Sequence, residues 1–312
     1  MRIVFLGSGA FAVPSLEALL ARGHEVAAVV SQPDREKGRG LQPAPPPVKA
    51  AALGHGLPVL QPRKVRAPEA QEELRALAPE LQVVAAYGQI LPQSVIDIAP
   101  RGTVNVHGSV LPFYRGAAPV QWAIARGESE TGVTTMMIDA GLDTGPTLLT
   151  RVTPIGPEET SPELEARLAA LGAELLLETI AGLEAGTVRP TPQDHARATL
   201  APIIKKEDGR VDWTSPAQEI ERRVRAFQPW PGSVATIGGR TLKIWRARVE
   251  PEGTPGDATP GRILSAGRDG LVVRCGGGSA LRLLDVQPEN GKRMAAAAWS
   301  AGARLGPDAR FD

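Results

Sequence analysis

RIVFLGSGAFAVPSLEALLARGHEVAAVVS, Arg2 to Ser31, decides the fold. RIVFLG is a short apolar run ended by Gly7, SLEALLARG is an amphipathic helix closed by Gly23, and EVAAVVS is a second apolar run. Two short apolar runs flanking a helix predict a β-α-β unit, because the helix carries the chain back to start a parallel strand. The alternation continues. PEAQEELRAL reads as a helix, LQVVAAYG as a third buried strand, TVNVHG as a fourth, PVQWAIARG as a helix and GVTTMMID as a fifth strand. SPELEARLAALGAELLLETIAGLEAG is a long helix with Ser161 and Glu163 to Glu165 at its start, which suits a capped N-terminus. Strands separated by helices predict an α/β fold with a doubly wound, mostly parallel, Rossmann-like sheet. Glu130 to Asp143 could add an antiparallel pair at its edge.

From Arg189 the texture changes. RPTPQDHARATLAPIIKKEDG is polar, proline-bearing and without periodicity, and reads as a linker. After one more helix, PAQEIERRVRAF, come short strands with turns: GSVATI, GGRTLKIWRARV, GRILSAG, GLVVRCGGG and ALRLLDVQP. That spacing predicts a small OB-like β-barrel. The expected division is 1–188 for the sheet domain, 189–205 for the linker and 206–312 for the barrel.

The composition is that of an ordinary globular protein, with 42% hydrophobic and 22% charged residues. The N-terminus has no run resembling a signal peptide, and no segment reaches the length of a membrane span. One cysteine, Cys275, excludes an intramolecular disulfide and a multi-cysteine metal site. A cytoplasmic monomer is the expectation. The formal charge of +1 hides an asymmetry: residues 206–312 hold 17 basic and 13 acidic side chains, and the rest holds 18 and 21. From Arg222 to Arg248 there are seven basic residues (Arg222, Arg223, Arg225, Arg240, Lys243, Arg246, Arg248) and no acidic one. Such an excess suits phosphate, although a solvated charged face is the commoner meaning of a charge run.

The chemistry-bearing stretch is TVNVHGSVLPFYRGAAPVQW, Thr103 to Trp122. Residues two apart in a strand share a face, so Asn105 and His107 project together where the strand ends. The C-terminal edge of an open α/β sheet is where ligands bind. Asp143, in MMIDAGLDTGP, is placed by its glycines in a loop expected at the same edge, with Asp139 as a local turn former. Asn105, His107 and Asp143 could therefore meet as amide, imidazole and carboxylate. A hydrolase-like trio of Ser109, His107 and Asp143 is disfavoured, because no G-x-S-x-G elbow surrounds Ser109. The remaining histidines, His24, His55 and His195, lie in connections, and no metal-ligand spacing exists.

Two other features compete. Gly7-Ser-Gly9-Ala-Phe-Ala12 approximates the dinucleotide fingerprint, with Asp34 near the position of a ribose-binding acid, so an NAD(P)-dependent oxidoreductase is a rival. Asp34 sits, however, in SQPDREKGRG, a long basic loop. Arg35, Lys37 and Arg39, with Gly38 and Gly40, form a basic finger that could reach a phosphate backbone, or only a charged surface loop. Trp245 lies between Ile244 and Arg246, and aromatics interleaved with arginine suit a nucleic-acid platform as well as a core.

On these residues the chain resembles the formyltransferases that use 10-formyltetrahydrofolate. NVHGSVLPFYRGAAPVQ is similar to their Asn-x-His-x-Ser-Leu-Leu-Pro signature, GLDTG to their aspartate loop and AYGQILP to a segment lining their folate pocket. SQPDREKGRG with PPPVK, KKEDGRVDW and RAFQPWPG resemble the members that act on methionyl-tRNA. Val110 stands where leucine is usual, and Ser8-Gly9-Ala10 replaces the commoner Thr-Pro-Asp. The resemblance implies formyl transfer from 10-formyltetrahydrofolate to the amino group of methionyl-initiator-tRNA, without metal or covalent enzyme intermediate. Asn105 would bind the formyl oxygen, His107 would supply a proton or charge, and Asp143 would orient His107. Folate would lie against Ser109, Val110, Leu111 and Pro112, with Ile90 and Leu91 lining the pocket. The Arg39 loop would reach the acceptor end of the tRNA. Charge clustering adds Arg222, Arg223, Arg225, Lys243 and Arg246 as candidate phosphate contacts. A small amine, such as an amino sugar or purine precursor, is the alternative acceptor.

Overall fold

The computed structural model describes residues 1–37, 42–251, 259–305 and 308–312, with side chains left out at 35–37 and 42–43. The chain divides into two compact units: Met1–Pro119, Glu130–Pro154 and Leu164–Pro202 form the first, and Val120–Ser129, Ile155–Glu163 and Ile203–Asp312 the second.

The first unit is built on seven strands: β1 (Arg2–Gly7), β2 (Glu25–Val30), β3 (Val59–Leu60), β4 (Leu81–Ala85), β5 (Thr103–His107), β6 (Glu130–Met137) and β7 (Thr147–Pro154). Their order is β7-β6-β5-β4-β1-β2-β3, parallel from β3 to β5 and antiparallel beyond. The five strands read from sequence are present; β3 and β7 extend the sheet at its two edges. Every residue of β4 is buried, as the continuous apolar run of a strand covered on both faces requires. The order reverses between β1 and β4, the point at which doubly wound sheets open a crevice. Helix α1 (Val13–Ala21) follows β1 and starts with proline in its first turn, where a missing N–H costs nothing. Val4, Leu6, Val30, Leu74, Val84 and Leu91 pack into one apolar cluster.

Helix α2 (Ser161–Ala185) is capped differently from the sequence expectation. Glu163 accepts from the N–H and hydroxyl of Thr160, while the Ser161 hydroxyl donates to the Gln228 carbonyl. Later in this helix Gly172 lies close against Val106 and Val133, so the face of β5 opposite Asn105 and His107 is covered.

The second unit holds an antiparallel sheet of β8 (Ser233–Ile237), β9 (Arg240–Val249), β10 (Ile263–Gly267), β11 (Gly270–Arg274) and β12 (Ala280–Pro288), in the order β8-β9-β12-β11-β10. The chain's last residues join its two edges. Ile263 donates to Ala309, Phe311 to Gly261, and Asp312 to Thr236. Inside lie Ile220 and Val224 of helix α3 (Ala217–Ala226), with Leu242, Ile244, Leu271, Leu281, Leu283 and Phe311. Among the described residues, no helix is long and apolar enough to cross a membrane.

Candidate active site and basic surface

Asn105 and His107 leave β5 on one face, as strand alternation dictates. His107 is buried and Asn105 half-buried. The His107 Nε2 lies 3.0 Å from the Tyr114 carbonyl. A carbonyl only accepts, so Nε2 carries a proton, which leaves Nδ1 as the other ring nitrogen. Nδ1 faces the Asp143 Oδ2 at 3.6 Å, an ion-pair separation too long for a direct hydrogen bond.

Asp143 does not arrive from the edge expected of it. β6 runs antiparallel to β5, with His107 opposite Thr134 and Val104 opposite Met137, so the loop after β6 starts beside the beginning of β5. Ile138 is tied there, donating to the Thr103 carbonyl at 2.8 Å. The loop then folds back toward His107, and Asp143 adopts a left-handed backbone, φ 51°. Its Oδ2 accepts the Gly116 N–H at 2.8 Å. Gly116 has φ 124°, and a Cβ there would come within 2.6 Å of the Ala201 carbonyl oxygen. Only glycine lets the backbone present that N–H. Asp139 is the turn former expected of it, accepting from the Gly141 N–H and the Thr144 hydroxyl.

The loop after His107 is internally bonded. The Ser109 hydroxyl donates to the Phe113 carbonyl at 2.6 Å and is fully buried, so it has no geometry for nucleophilic attack. The Thr134 hydroxyl donates to the Ser109 carbonyl and accepts from the Leu111 N–H. Val110 and Pro112 are half-buried and Leu111 is buried. Of the two residues expected from AYGQILP, Ile90 is 84% exposed, whereas Leu91 belongs to the apolar core.

Sequence reasoning missed the support behind this loop. Residues 191–201, inside the stretch read as a linker, run along it. Thr199 accepts from the Tyr114 N–H through its hydroxyl and from the Arg115 N–H through its carbonyl. Arg197 lies over the Phe113 ring. Gln193 is buried and bonds both Arg115 and the Asp143 loop. Nothing in the spacing marks these residues, because their partners lie far away in sequence.

The dinucleotide reading loses its cradle. The N–H groups of Ser8 and Gly9, which in such a site would point at phosphate, both donate to the Ala86 carbonyl. Asp34 is likewise engaged: hydrogen bonds from Gln61 and then from Lys49 hold its carboxyl below the usual range.

The basic residues fall into three groups. Arg39 lies outside the described residues; the backbones of Arg35 and Lys37 lie in a short antiparallel ribbon, Arg35–Lys37 with Gln42–Ala44. Arg225 is committed internally, its guanidinium bonded to both Glu221 carboxylate oxygens and to the Glu159 carbonyl, with the side chain 13% exposed. Arg222 packs against Gly127, and Arg223 donates to the Asp208 carbonyl and lies over Phe227. The Arg225 guanidinium is thus engaged with the protein's own carboxylate and carbonyl. Lys243 and Arg246 lie beside Trp245 in sequence, and the Lys243 Nζ donates to the Pro229 carbonyl at 2.7 Å. Lys243 Nζ is 4.3 Å from the Trp245 ring centroid, and burial pulls its pKa down. Arg246 is 63% exposed, 3.4 Å from Asp285. Arg293, which the sequence did not single out, stands 5.4 Å from the same ring and also reaches Asp285. A tryptophan flanked by cations is a stacking platform.

Residues 1–180 match the family described as formyl transferase, and residues 203–304 match the formyl transferase C-terminal domain. The chain belongs to the formyltransferase family. A relative from Solibacter usitatus named methionyl-tRNA formyltransferase is 56% identical over 98% of this chain and 96% of its own length. One of the same name from Geobacter sulfurreducens is 52% identical over all of this chain and 96% of its own. Among solved structures, an N-formyltransferase from Helicobacter canadensis, in complex with folinic acid and dTDP-3-aminofucose, shares the fold with a TM-score of 0.68. It is 19% identical, over 93% of this chain and all of that one. HypX from Aquifex aeolicus, in complex with tetrahydrofolic acid, gives a TM-score of 0.65 at 21% identity, over 99% of this chain and 48% of that one. Membership of the formyltransferase family sets aside the oxidoreductase alternative.

Proposed function

We propose that the protein transfers the formyl group of 10-formyltetrahydrofolate to the amino group of methionyl-initiator-tRNA. The observation that carries the chemistry is the trio itself. The His107 Nδ1 faces the Asp143 carboxylate, and the Asn105 amide, with no hydrogen bond to the described protein, shares their face of β5.

In the reaction the acceptor amine attacks the formyl carbon and the bond from that carbon to N10 breaks. The amine loses one proton and N10 gains one. Asn105 donates to the formyl oxygen as it becomes an oxyanion, an interaction of the kind that contributes about 3 kcal/mol in other enzymes. His107, with Nε2 occupied by the Tyr114 carbonyl, exchanges its proton at Nδ1. Asp143 holds that charge in place and passes the proton on through water. The attacking group is the substrate's own amine, so the buried Ser109 has no covalent role.

Folate is placed against Val110 and Pro112 and the exposed Ile90, with Leu111 and Ser109 shaping the loop beneath it. The tRNA is met by Lys243, Arg246 and Arg293 around Trp245, with Arg222 and Arg223 beside them in sequence and Arg35, Lys37 and Arg39 toward the acceptor end. Residues 1–188 carry the transfer, 206–312 hold the tRNA, and 189–205 both connect and support. The reading includes a cytoplasmic monomer.

The test is a transfer assay with 10-formyltetrahydrofolate and charged initiator methionyl-tRNA, beside elongator methionyl-tRNA and His107→Ala. Formylation of the initiator alone, lost in the variant, is expected. No transfer to either tRNA, with folate still bound, would redirect the acceptor to a small amine.

A further inference from the structure

Gln193 makes four hydrogen bonds in a buried position. Its Oε1 accepts from Arg115, Nη2 at 2.7 Å and Nε at 3.2 Å; its Nε2 donates to the carbonyls of Asp143 at 2.9 Å and Gly145 at 2.6 Å. The orientation of the amide is forced. A guanidinium only donates, so the oxygen must face Arg115, and both amide protons are left for the two carbonyls. Arg115 is itself buried and held on its other side by the His195 Nδ1 at 3.1 Å. Every polar group of Gln193 is satisfied, and each of its bonds ends on the catalytic loop or on the residue next to Gly116.

Asp143 needs such a support. Its left-handed backbone is unfavourable for a residue with a side chain and persists only where the surroundings impose it. Its carboxylate is aimed at His107 by one N–H, that of Gly116, and Arg115 precedes Gly116 in the chain. Gln193 therefore ties together the two loops whose relative position sets the distance from Asp143 to His107. We propose that Gln193, fixed by Arg115, is a positioning residue for the transfer reaction. It clamps the Asp143–Gly145 carbonyls so that the Asp143 carboxylate stays directed at His107. The proposal rests on the reading of Asp143 as part of the reacting group.

Gln193→Glu separates the two ends of this clamp. The carboxylate keeps the volume and the Arg115 contact but replaces the two N–H donors of Nε2 by one oxygen that repels both loop carbonyls. With full-length protein, 10-formyltetrahydrofolate and charged initiator tRNA, kcat should fall about 10- to 100-fold, because loss of alignment removes rate rather than binding. KM for both substrates should stay within about threefold. In the same variant the Gly116 amide, read by NMR hydrogen exchange, should lose protection. Gln193→Asn, one methylene too short to serve both ends, should lose kcat by about 5- to 10-fold and covers the case in which Gln193→Glu does not fold. Asp143→Asn is the control. A collapse of kcat in Asp143→Asn together with wild-type kcat in either folded Gln193 variant overturns the clamp alone. Wild-type kcat in Asp143→Asn overturns the catalytic reading, and the clamp's role in turnover with it. A fall in kcat with equally raised KM and an unaltered Gly116 amide would also overturn the clamp.

Discussion

The His107 loop and the Trp245 surface are both polar, but they are held in opposite ways. Around His107 the hydrogen bonds form a dense set: His107 to Tyr114, Gly116 to Asp143, Gln193 to Asp143 and Gly145, Arg115 to Gln193. Among the described residues, the Asn105 amide and the His107 Nδ1 are left without a hydrogen bond. Around Trp245, Lys243 and Arg293 rest on the ring, Arg246 and Arg293 share one carboxylate, Asp285, and both arginines remain more than half exposed. The first arrangement fixes atoms to within fractions of an ångström, which bond-breaking demands. The second supplies charge at a surface, which suits a flexible polyanion and tolerates imprecision. One should fail abruptly when disturbed, the other gradually.

The sharpest way to break this contrast is His107→Ala. It is expected to lower kcat by about 10²- to 10⁴-fold, the range of general acid–base catalysis, while tRNA affinity measured by filter binding is unchanged. A variant that lost tRNA binding instead would erase the distinction between the two regions. Gly116→Ala should come next. Its Cβ meets the Ala201 carbonyl oxygen and its φ of 124° disfavours a side chain, so about 2–4 kcal/mol of stability should be lost in denaturant titrations.

On the basic side, Arg225 and Arg293 should separate. Arg225→Ala breaks a largely buried pair with Glu221 and should cost about 1–3 kcal/mol of stability while leaving the salt dependence of tRNA binding intact. Arg293→Ala should leave the melting temperature within a few degrees and lower the log–log salt slope by about one. The reverse pattern would move the tRNA surface away from Trp245.

The smallest effect concerns a flaw in the well-bonded region. The Tyr87 hydroxyl is buried with no hydrogen-bond partner, and burial pushes its pKa up to about 12 from the ordinary 10.0. The folded state therefore resists the phenolate. Stability is unaffected below the unfolded pKa near 10 and is lost as pH rises toward 12. Tyr87→Phe should remove that alkaline loss and add about 1 kcal/mol at neutral pH, read from melting curves at pH 8 and 11.

The comparison also separates what a sequence discloses from what it hides. Strand and helix identities in the first unit were legible because RIVFLG, LQVVAAYG and TVNVHG are apolar runs that a two-sided sheet must bury. Asn105 and His107 were legible because period-two alternation needs no tertiary knowledge. The path of Asp143 was not: an antiparallel β6 sends its loop out at the opposite edge, and strand direction is set by pairing, not by composition. Gln193 was hidden in a proline-rich stretch, since its bonds span about fifty residues to Asp143 and nearly eighty to Arg115. The engagement of Arg225 was hidden because its pairing with Glu221 is a one-turn contact, invisible in a count that begins at Arg222. Val110, Ile90 and Leu91 were named as one pocket lining, yet burial divides them, and a motif does not encode burial.

The segment that seals the second unit also sets an order of events. Residues 309–312 bond to both edges of its sheet, and Phe311 fills the interior 5.0 Å from Trp213. Until Phe311 is seated, the two edges stay unjoined and the space beside Trp213 stays unfilled, so closure of the sheet waits on this segment.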